Sequence, residues 1–506
     1  MMKYNNDQPL IVIASNRGPF SFREEDGEFK VVRGSGGLVT ALGALAEKHD
    51  VLWVAAAMDR HDRIWVEAQE GQAQDVEGIS LRLIRTDRKR YRQYYNVISN
   101  PLLWFIHHQL WDVPRAPSIS SETWEAWDEG YLKVNKQFAE VIAQSVKNDK
   151  RRVIILPQDY QLYLVPHFLR QMLNRDVQIQ PFIHIPWPGP DAWHVLPQPM
   201  RDAILSSLLE SDRIGFQTQR DAFNFIQTCR FYLVDAHSRG SRDSIYYRGR
   251  KIKATAYPIS IDVDKVCEIT EEPQTRLLKD QLITLVGDRD LILRVDRIEP
   301  SKNILRGLDA YRVFLETYPE YRGKVQMLAL LVPSRMEVGE YQDYLREIMA
   351  EAGMINAHFS DPFWEPVRVI VGDNYPRAIA AMQLYKVLLV NPIADGMNLV
   401  AKEGVLVNQQ DGVLVLSEYA GAFFELGEHV LTVSPFDIYG TAEAIKNALM
   451  MPLDERHHRA EELRRLVKEA GVKQWFYNQV DDALRDINSQ SKNSSTSETP
   501  STKKSA

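Results

Sequence analysis

Short apolar runs alternate with amphipathic stretches along most of this chain, and no other feature constrains its fold so tightly. An apolar run of about four to eight residues between turn signals reads as a strand buried on both faces. An amphipathic stretch joining two such runs reads as a crossover helix of an α/β unit. In the first half the runs fall at residues 10–14, 51–55, 80–84, 153–156 and 179–183, with helical patterns at 38–48, 124–146 and 164–173. Residues 245–253 read as a hairpin around Arg248-Gly249-Arg250, and Ala256-Tyr-Pro-Ile-Ser-Ile-Asp262 closes this half. Residues 263–281 are charged and helical in part. A second series then begins, with strands at 291–295, 324–332, 367–371, 387–390 and 412–416 and helices at 303–318, through 351 and at 376–384. The expectation is an α/β chain of two Rossmann-like, doubly wound domains, residues 1–262 and 263–455, facing an interdomain cleft. A helical stretch within 456–487 is expected to pack back on the first domain. Residues 488–506, without a large apolar side chain, read as a disordered tail.

At 506 residues the chain is long enough for two or three domains. Its 44% hydrophobic and 25% charged residues suit a globular protein with large cores. A net charge of -7 argues against a general nucleic-acid binder. The two cysteines, Cys229 and Cys267, form neither a metal-ligand spacing nor a disulfide framework. The polar N-terminus lacks a signal-peptide core, and no apolar run reaches the roughly 18–20 residues that cross a bilayer. These features predict a cytoplasmic protein with no membrane or nucleic-acid partner; no metal and no tightly bound cofactor are expected. Oligomeric state is silent, and a homo-oligomer is compatible with the chain.

Ligands of open α/β sheets bind beyond the carboxyl ends of the strands, so polar residues there are site candidates. The strongest segment is Asn391-Pro-Ile-Ala-Asp-Gly-Met-Asn-Leu-Val-Ala-Lys-Glu403. It reads as a strand end, a turn at Asp395-Gly396 and a helix beginning near Asn398. Backbone N–H groups at such a helix start favour an anion, while acidic residues on turn and helix can hold sugar hydroxyls. Arg297-Ile-Glu-Pro-Ser-Lys302 sets two cations around a turn into the next helix, which suits a diphosphate. Arg17 lies beyond the first strand, and Ser35-Gly36-Gly37 open a helix. The glycine spacing is not that of a dinucleotide fingerprint. Asp159 follows the strand at 153–156 and reads equally as a site residue or a helix N-cap. His184, in the stiff loop His184-Ile-Pro-Trp-Pro-Gly-Pro190, reads equally as a core histidine or a cleft residue. Tyr94, Tyr95 and Trp104 by themselves read as core, and Arg335 as a solvated surface arginine.

Together these motifs resemble the trehalose-6-phosphate synthase family of retaining glycosyltransferases over about residues 8 to 485. The most specific part is Asp395-Gly-Met-Asn-Leu-Val-Ala-Lys-Glu403; His184-Ile-Pro-Trp-Pro188, Asp159-Tyr160 and Pro258-Ile-Ser-Ile-Asp262 support it. The resemblance implies a GT-B architecture with the active site between acceptor-binding and nucleotide-sugar-binding domains. It implies transfer of glucose from a nucleotide sugar, UDP-glucose by preference, to glucose 6-phosphate. Arg297 and Lys302 would then hold the donor diphosphate, and Glu403 the ribose. Asp395, His184 and the backbone of Gly396, Met397, Asn398, Leu399 and Val400 would contact the donor sugar, under a loop carrying Gly36 and Gly37. Arg17, Tyr95 and Arg335 would contact the acceptor phosphate, and Asp159 and Trp104 the acceptor sugar. The leaving phosphate itself would take the acceptor proton, so no side-chain base is expected.

Two departures stand out. Family members usually carry a second tryptophan shortly after the one equivalent to Trp53, where this chain has Ala56. The usual Arg-x-Asp-Tyr-x-Lys-Gly turn becomes Arg297-Ile-Glu-Pro-Ser-Lys-Asn303. Trehalose 6-phosphate synthesis is the first reading. Glucosylglycerol-phosphate synthesis, glycosylation of a cyclitol phosphate and a non-enzymatic sugar-phosphate sensor are the alternatives.

Overall fold

The computed structural model of the chain describes residues 8–25, 28–34, 49–174 and 176–496, with side chains through residue 488. The helical reading of 38–48 and the loop glycines Gly36 and Gly37 lie outside the described residues.

Among the described residues, the first domain is built on a six-stranded sheet whose centre is Leu10–Ser15, every residue of it buried. Asp50–Ala56 and Val153–Pro157 flank it in parallel; Ile79–Ile84 and Gln178–Ile179 extend the sheet on either side, and Gln74–Val76 adds an antiparallel edge. Burial on both faces is why Leu10–Ser15, Asp50–Ala56 and Val153–Pro157 read as apolar runs, while Ile79–Ile84, nearer the edge, alternates. A short antiparallel pair, Phe20–Glu25 with Glu28–Arg33, is an addition that its charged sequence conceals.

The run at 179–183 is two strands, not one. Gln178–Ile179 pairs with the first sheet, and Phe182–Ile183 pairs with Arg213–Phe216 in a second sheet that includes Arg250–Ala256 and Ser244–Tyr247. Pro181 between them has no N–H to give to a ladder, so the strand changes partners there; its carbonyl takes the Gly215 N–H at 2.8 Å. The switch also brings the start of the loop at 184–190 beside the end of Val153–Pro157, where the Asp159 N–H donates to the Phe182 carbonyl at 2.7 Å.

The second domain carries a six-stranded, wholly parallel sheet. Its order is Val367–Val371, Val325–Val332, Asp290–Arg297, Val387–Val390, Val413–Ser417, Leu431–Val433. One apolar core runs from Trp53 and Phe182 through Tyr257, Ile259 and Ile261 of the linking segment to Leu388, Met397 and Ala401. The two domains are therefore packed as one body around the linker.

The C-terminal stretch forms two helices with different duties. Leu453–Glu469 stays on the second domain, where Arg464 pairs with Asp411 at 2.9 Å. Val472–Thr496 crosses back: Trp475 packs edge-on to Phe182 at 5.0 Å, and Asp482 and Asp486 meet Arg213 at 3.1 and 2.6 Å. The helix continues into the stretch read as a disordered tail, and residues 497–506 lie outside the described residues. The Arg213 side chain is only 7% exposed. Removing both carboxylates would strand a buried cation, so Asp482→Ala with Asp486→Ala is expected to lower unfolding free energy by about 3 kcal/mol in a denaturant titration. A loss under about 1 kcal/mol would mean that the crossing helix is held by its apolar face alone.

Candidate active site

Where the two domains face each other they enclose a cavity of about 230 Å³. It is lined from the first domain by Trp104, His108, Asp159, Tyr160, Gln161, His184 and Ile185, and from the second by Arg297, Glu299, Ser301, Lys302, Arg335, Asp395 and Gly396. Nearly all of these follow the carboxyl ends of parallel strands, where α/β topology leaves a crevice.

The second-domain wall begins at Arg297, the last residue of Asp290–Arg297. A single 3-10 turn, Pro300–Lys302, follows, with proline at the helix start where its missing N–H costs nothing. Asn303 then adopts the left-handed conformation at φ 58° before helix Ile304–Thr317. Asparagine is among the few non-glycine residues that tolerate this region. Its Nδ2 also donates to the carbonyls of Asn391 at 2.9 Å and Pro435 at 2.7 Å. Pro300 and Asn303 thus suit the turn that they form. Lys302 Nζ forms an ion pair with Asp395, whose carboxylate also accepts from Asn398 Nδ2 at 3.0 Å. Asn398, itself left-handed at φ 73°, caps helix Leu399–Val407 by accepting from the Ala401 N–H at 3.1 Å.

Glu299 is fully buried between the cations. Its Oε1 accepts from Arg335 at 3.2 Å and Ser334 at 2.9 Å and forms an ion pair with Arg297 at 3.1 Å. Burial alone would raise its pKa, but Arg297, Arg335 and Lys302 outweigh that and hold it down at about 2. Arg335 is not a solvated surface residue. Its guanidinium lies 3.9 Å above the Trp104 ring and donates to Tyr341 at 2.6 Å and Tyr160 at 3.3 Å. Stacking on an aromatic face and pairing with a buried carboxylate is what a guanidinium, more weakly hydrated than an ammonium, does well.

On the first-domain wall, Asp159 occupies the N-cap position of a short turn without capping it; its Oδ1 instead accepts the His184 N–H at 3.1 Å. Its backbone is left-handed at φ 70°, strain of the kind concentrated at functional sites. His184 Nε2 donates to Gln158 Oε1 at 3.0 Å, and Gln217 Nε2 donates to Nδ1 at 3.5 Å, which fixes a neutral ring. Burial agrees, pushing the His184 pKa down to about 4.

Burial also pushes the Asp159 carboxyl up to about 7. A raised carboxyl pKa gives stability that is full below the unfolded value and is lost as pH rises through the folded one. Asp159→Asn removes that slope. The melting temperature of the variant relative to wild type is expected to climb by several degrees between about pH 5 and about pH 8. Glu403, which accepts from Tyr375 at 2.9 Å, is likewise raised to about 7 by burial and is present in both proteins, so the difference isolates Asp159. A difference independent of pH would contradict the assignment.

Of the residues singled out in the sequence, Trp104, Asp159, His184, Arg297, Lys302, Arg335, Asp395 and Gly396 meet on this cavity. Met397, Asn398, Leu399, Val400 and Glu403 continue into and along the capped helix, outside it. Arg17 lies exposed on its loop, and Tyr95 stacks on Tyr91 at 5.7 Å; neither lines the cavity. Glu299 and His108 were missed. Glu299 lies within the Arg297–Lys302 motif, as an acid between two cations. His108 falls four residues after Trp104, the spacing of one helix face. Among the described residues no cluster of three or more His, Cys, Asp or Glu side chains is placed to hold a metal ion, and no helix is long and apolar enough to cross a membrane.

Comparison with known proteins agrees with this architecture. A trehalose-6-phosphate synthase of Sinorhizobium fredii is 33% identical over 473 residues, covering 92% of this chain and 96% of that protein. The UDP-forming alpha,alpha-trehalose-phosphate synthase A of Dictyostelium discoideum is 30% identical over 471 residues, 92% of this chain. The chain spans only 61% of that protein's length, and 55% of a relative from Arabidopsis thaliana. Among solved structures, an E. coli protein bound with UDP-2-fluoro glucose superposes with a TM-score of 0.81 at 27% identity, over 94% of this chain and 98% of that one. An alpha,alpha-trehalose-phosphate synthase of Burkholderia xenovorans in complex with glucose-6-phosphate superposes at 0.79 with 28% identity, over 94% and 99%. The fold is thus the GT-B arrangement of these enzymes. The model of glycosyltransferase family 20 matches residues 9–485, and the chain belongs to that family.

Proposed function

We propose that this protein transfers glucose, with retention, from UDP-glucose to glucose 6-phosphate and so makes trehalose 6-phosphate. The observation that carries the reading is the pairing of three cations, Arg297, Lys302 and Arg335, with hydroxyl-binding groups across one interdomain cavity. Two phosphorylated substrates need two cationic poles, and the sugars between them need acceptors such as Asp159 and Asp395. Ligands of the relatives match this division, UDP-2-fluoro glucose in one and glucose-6-phosphate in another.

On this reading Arg297 and Lys302 take the donor diphosphate, with the start of helix Leu399–Val407 behind them. The sugar–phosphate bond breaks with its electron pair going to the diphosphate. A hydroxyl of the acceptor bonds to the anomeric carbon on the same face, and its proton passes to the departing phosphate. His184, held neutral, orients the donor sugar. Arg335, stacked on Trp104, takes the acceptor phosphate; Arg17 and Tyr95 complete that pole. Glu403 takes the ribose.

One observation favours a different phosphorylated acceptor. Ala56, at the end of Asp50–Ala56 and only 2% exposed, offers no ring face where family members usually carry tryptophan. Glycerol 3-phosphate or a cyclitol phosphate would not need that face. The deciding assay follows nucleotide release from UDP-, GDP- and ADP-glucose with each acceptor. Turnover with UDP-glucose and glucose 6-phosphate is expected. No acceptor-dependent release from any donor would defeat the glycosyltransferase reading, and release with glycerol 3-phosphate alone would move the acceptor.

A further inference from the structure

His108 lies on the cavity but has no part in the chemistry just described. Its ring stacks on Trp104 with centroids 4.1 Å apart and planes 24° from parallel. Its Nδ1 lies 2.8 Å from the Trp104 carbonyl oxygen. A carbonyl only accepts, so Nδ1 carries the proton and, in the neutral ring, Nε2 keeps its lone pair. Among the described residues Nε2 has no hydrogen-bond partner, and it is not among the buried polar atoms closed off without one. It opens on the cavity instead. Such an open acceptor suits a sugar hydroxyl, which has a proton to donate.

Neighbouring charges decide which sugar. Trp104 and His108 belong to the first domain, and the Arg335 guanidinium lies 3.9 Å from the Trp104 ring on the cavity side. A phosphate on Arg335 brings its own sugar past the Trp104 edge toward Nε2. Arg335 and the donor cations all come from the second domain, but the Arg297 guanidinium lies farther off, 6.0 Å from the same ring. We propose that His108 is a specificity-determining ligand of the phosphorylated acceptor, its Nε2 accepting a hydrogen bond from one sugar hydroxyl. This deepens the reading of the acceptor pole given above and rests on it. The residue is a weak base here, since burial pushes its pKa down to about 4. It therefore positions the acceptor and leaves the proton to the departing phosphate.

His108→Phe keeps the stacking on Trp104 and removes only the nitrogens. The Trp104 carbonyl is not orphaned, because the His108 backbone N–H also donates to it at 3.1 Å. His108→Gln can restore an acceptor oxygen near the position of Nε2. Calorimetry on the full chain with glucose 6-phosphate, inorganic phosphate and UDP separates the effects. The Phe variant is expected to bind glucose 6-phosphate about tenfold more weakly, the worth of one well-made hydrogen bond. Inorganic phosphate and UDP should bind both proteins equally, and the Gln variant should regain most of the loss. One of the 2-, 3- and 4-deoxy analogues of glucose 6-phosphate should bind wild type and the Phe variant alike, because the hydroxyl and its acceptor are then both absent. Undiminished binding of glucose 6-phosphate by His108→Phe would overturn the inference while leaving the acceptor reading standing. A parallel loss of UDP or inorganic phosphate would also overturn it, as a general disturbance of the cleft. Failure of wild type to bind glucose 6-phosphate at all would remove the acceptor reading and this inference with it.

Discussion

Lys302→Ala is expected to lower turnover of UDP-glucose with glucose 6-phosphate by about 100-fold or more, while the protein stays folded. As the sugar–phosphate bond opens, negative charge grows on the leaving diphosphate, and Lys302 is placed to meet it. Its side chain is only 12% exposed and its ammonium is already paired with Asp395. Its carbonyl is gripped by the buried Arg294, and the next residue is the left-handed Asn303 with two backbone anchors. A cation held this way needs no reorganisation when charge develops, which is why such contacts weigh more in the transition state than in the ground state. The effect should therefore fall on kcat more than on KM. Asp395 keeps its bond from Asn398 in the variant, so melting temperature should fall by only a few degrees. Unchanged turnover would remove Lys302 from the reaction.

Gly396→Ala should be about as costly, for a steric reason. A Cβ at Gly396 would stand 1.8 Å from the His184 carbonyl oxygen, 2.9 Å from its carbon and 3.3 Å from the Ile185 Cα. All three are backbone atoms of the opposite domain, so no side chain can rotate aside. The backbone of Gly396 is not left-handed, so alanine fits the chain itself; only the approach of the domains is lost. Relief requires the walls to separate by more than an ångström. Misplacement on that scale costs on the order of 100-fold in rate, because each substrate is assigned groups from both walls, Arg335 with Asp159 for the acceptor and Lys302 with His184 for the donor. Separate binding of UDP should survive, and kcat should collapse. An alanine variant with wild-type kcat would show that the cleft works with its walls further apart.

The strands were legible where burial on both faces leaves an unbroken apolar run, as at 387–390; 367–371, partly exposed and interrupted by Arg368, was legible from its β-branched residues, and both match the structure residue for residue. The charged pair Phe20–Glu25 and Glu28–Arg33 lacked that signal and went unread. Residues 179–183 carried it across two strands, because Pro181 changes the hydrogen-bond partner without interrupting the apolar run. Local geometry of the site was also legible. The turns at 297–303 and 395–398 depend on nearby residues, and the types that build them can be named from the chain.

Arg335 could not be read the same way. Its burial comes from Trp104, Tyr160, Glu299 and Tyr341, which span both domains. His108 likewise became a candidate only when its tautomer and its open nitrogen could be seen. The chain by itself determined the α/β architecture, the strand-end turns and the family, because each follows from apolar periodicity or from residues close in sequence. Only the tertiary structure decided which charges share one cavity, which are buried, and that Gly396 must meet the His184 carbonyl. Those facts depend on how two domains pack around one linker, and contacts across such a distance leave no period in the chain.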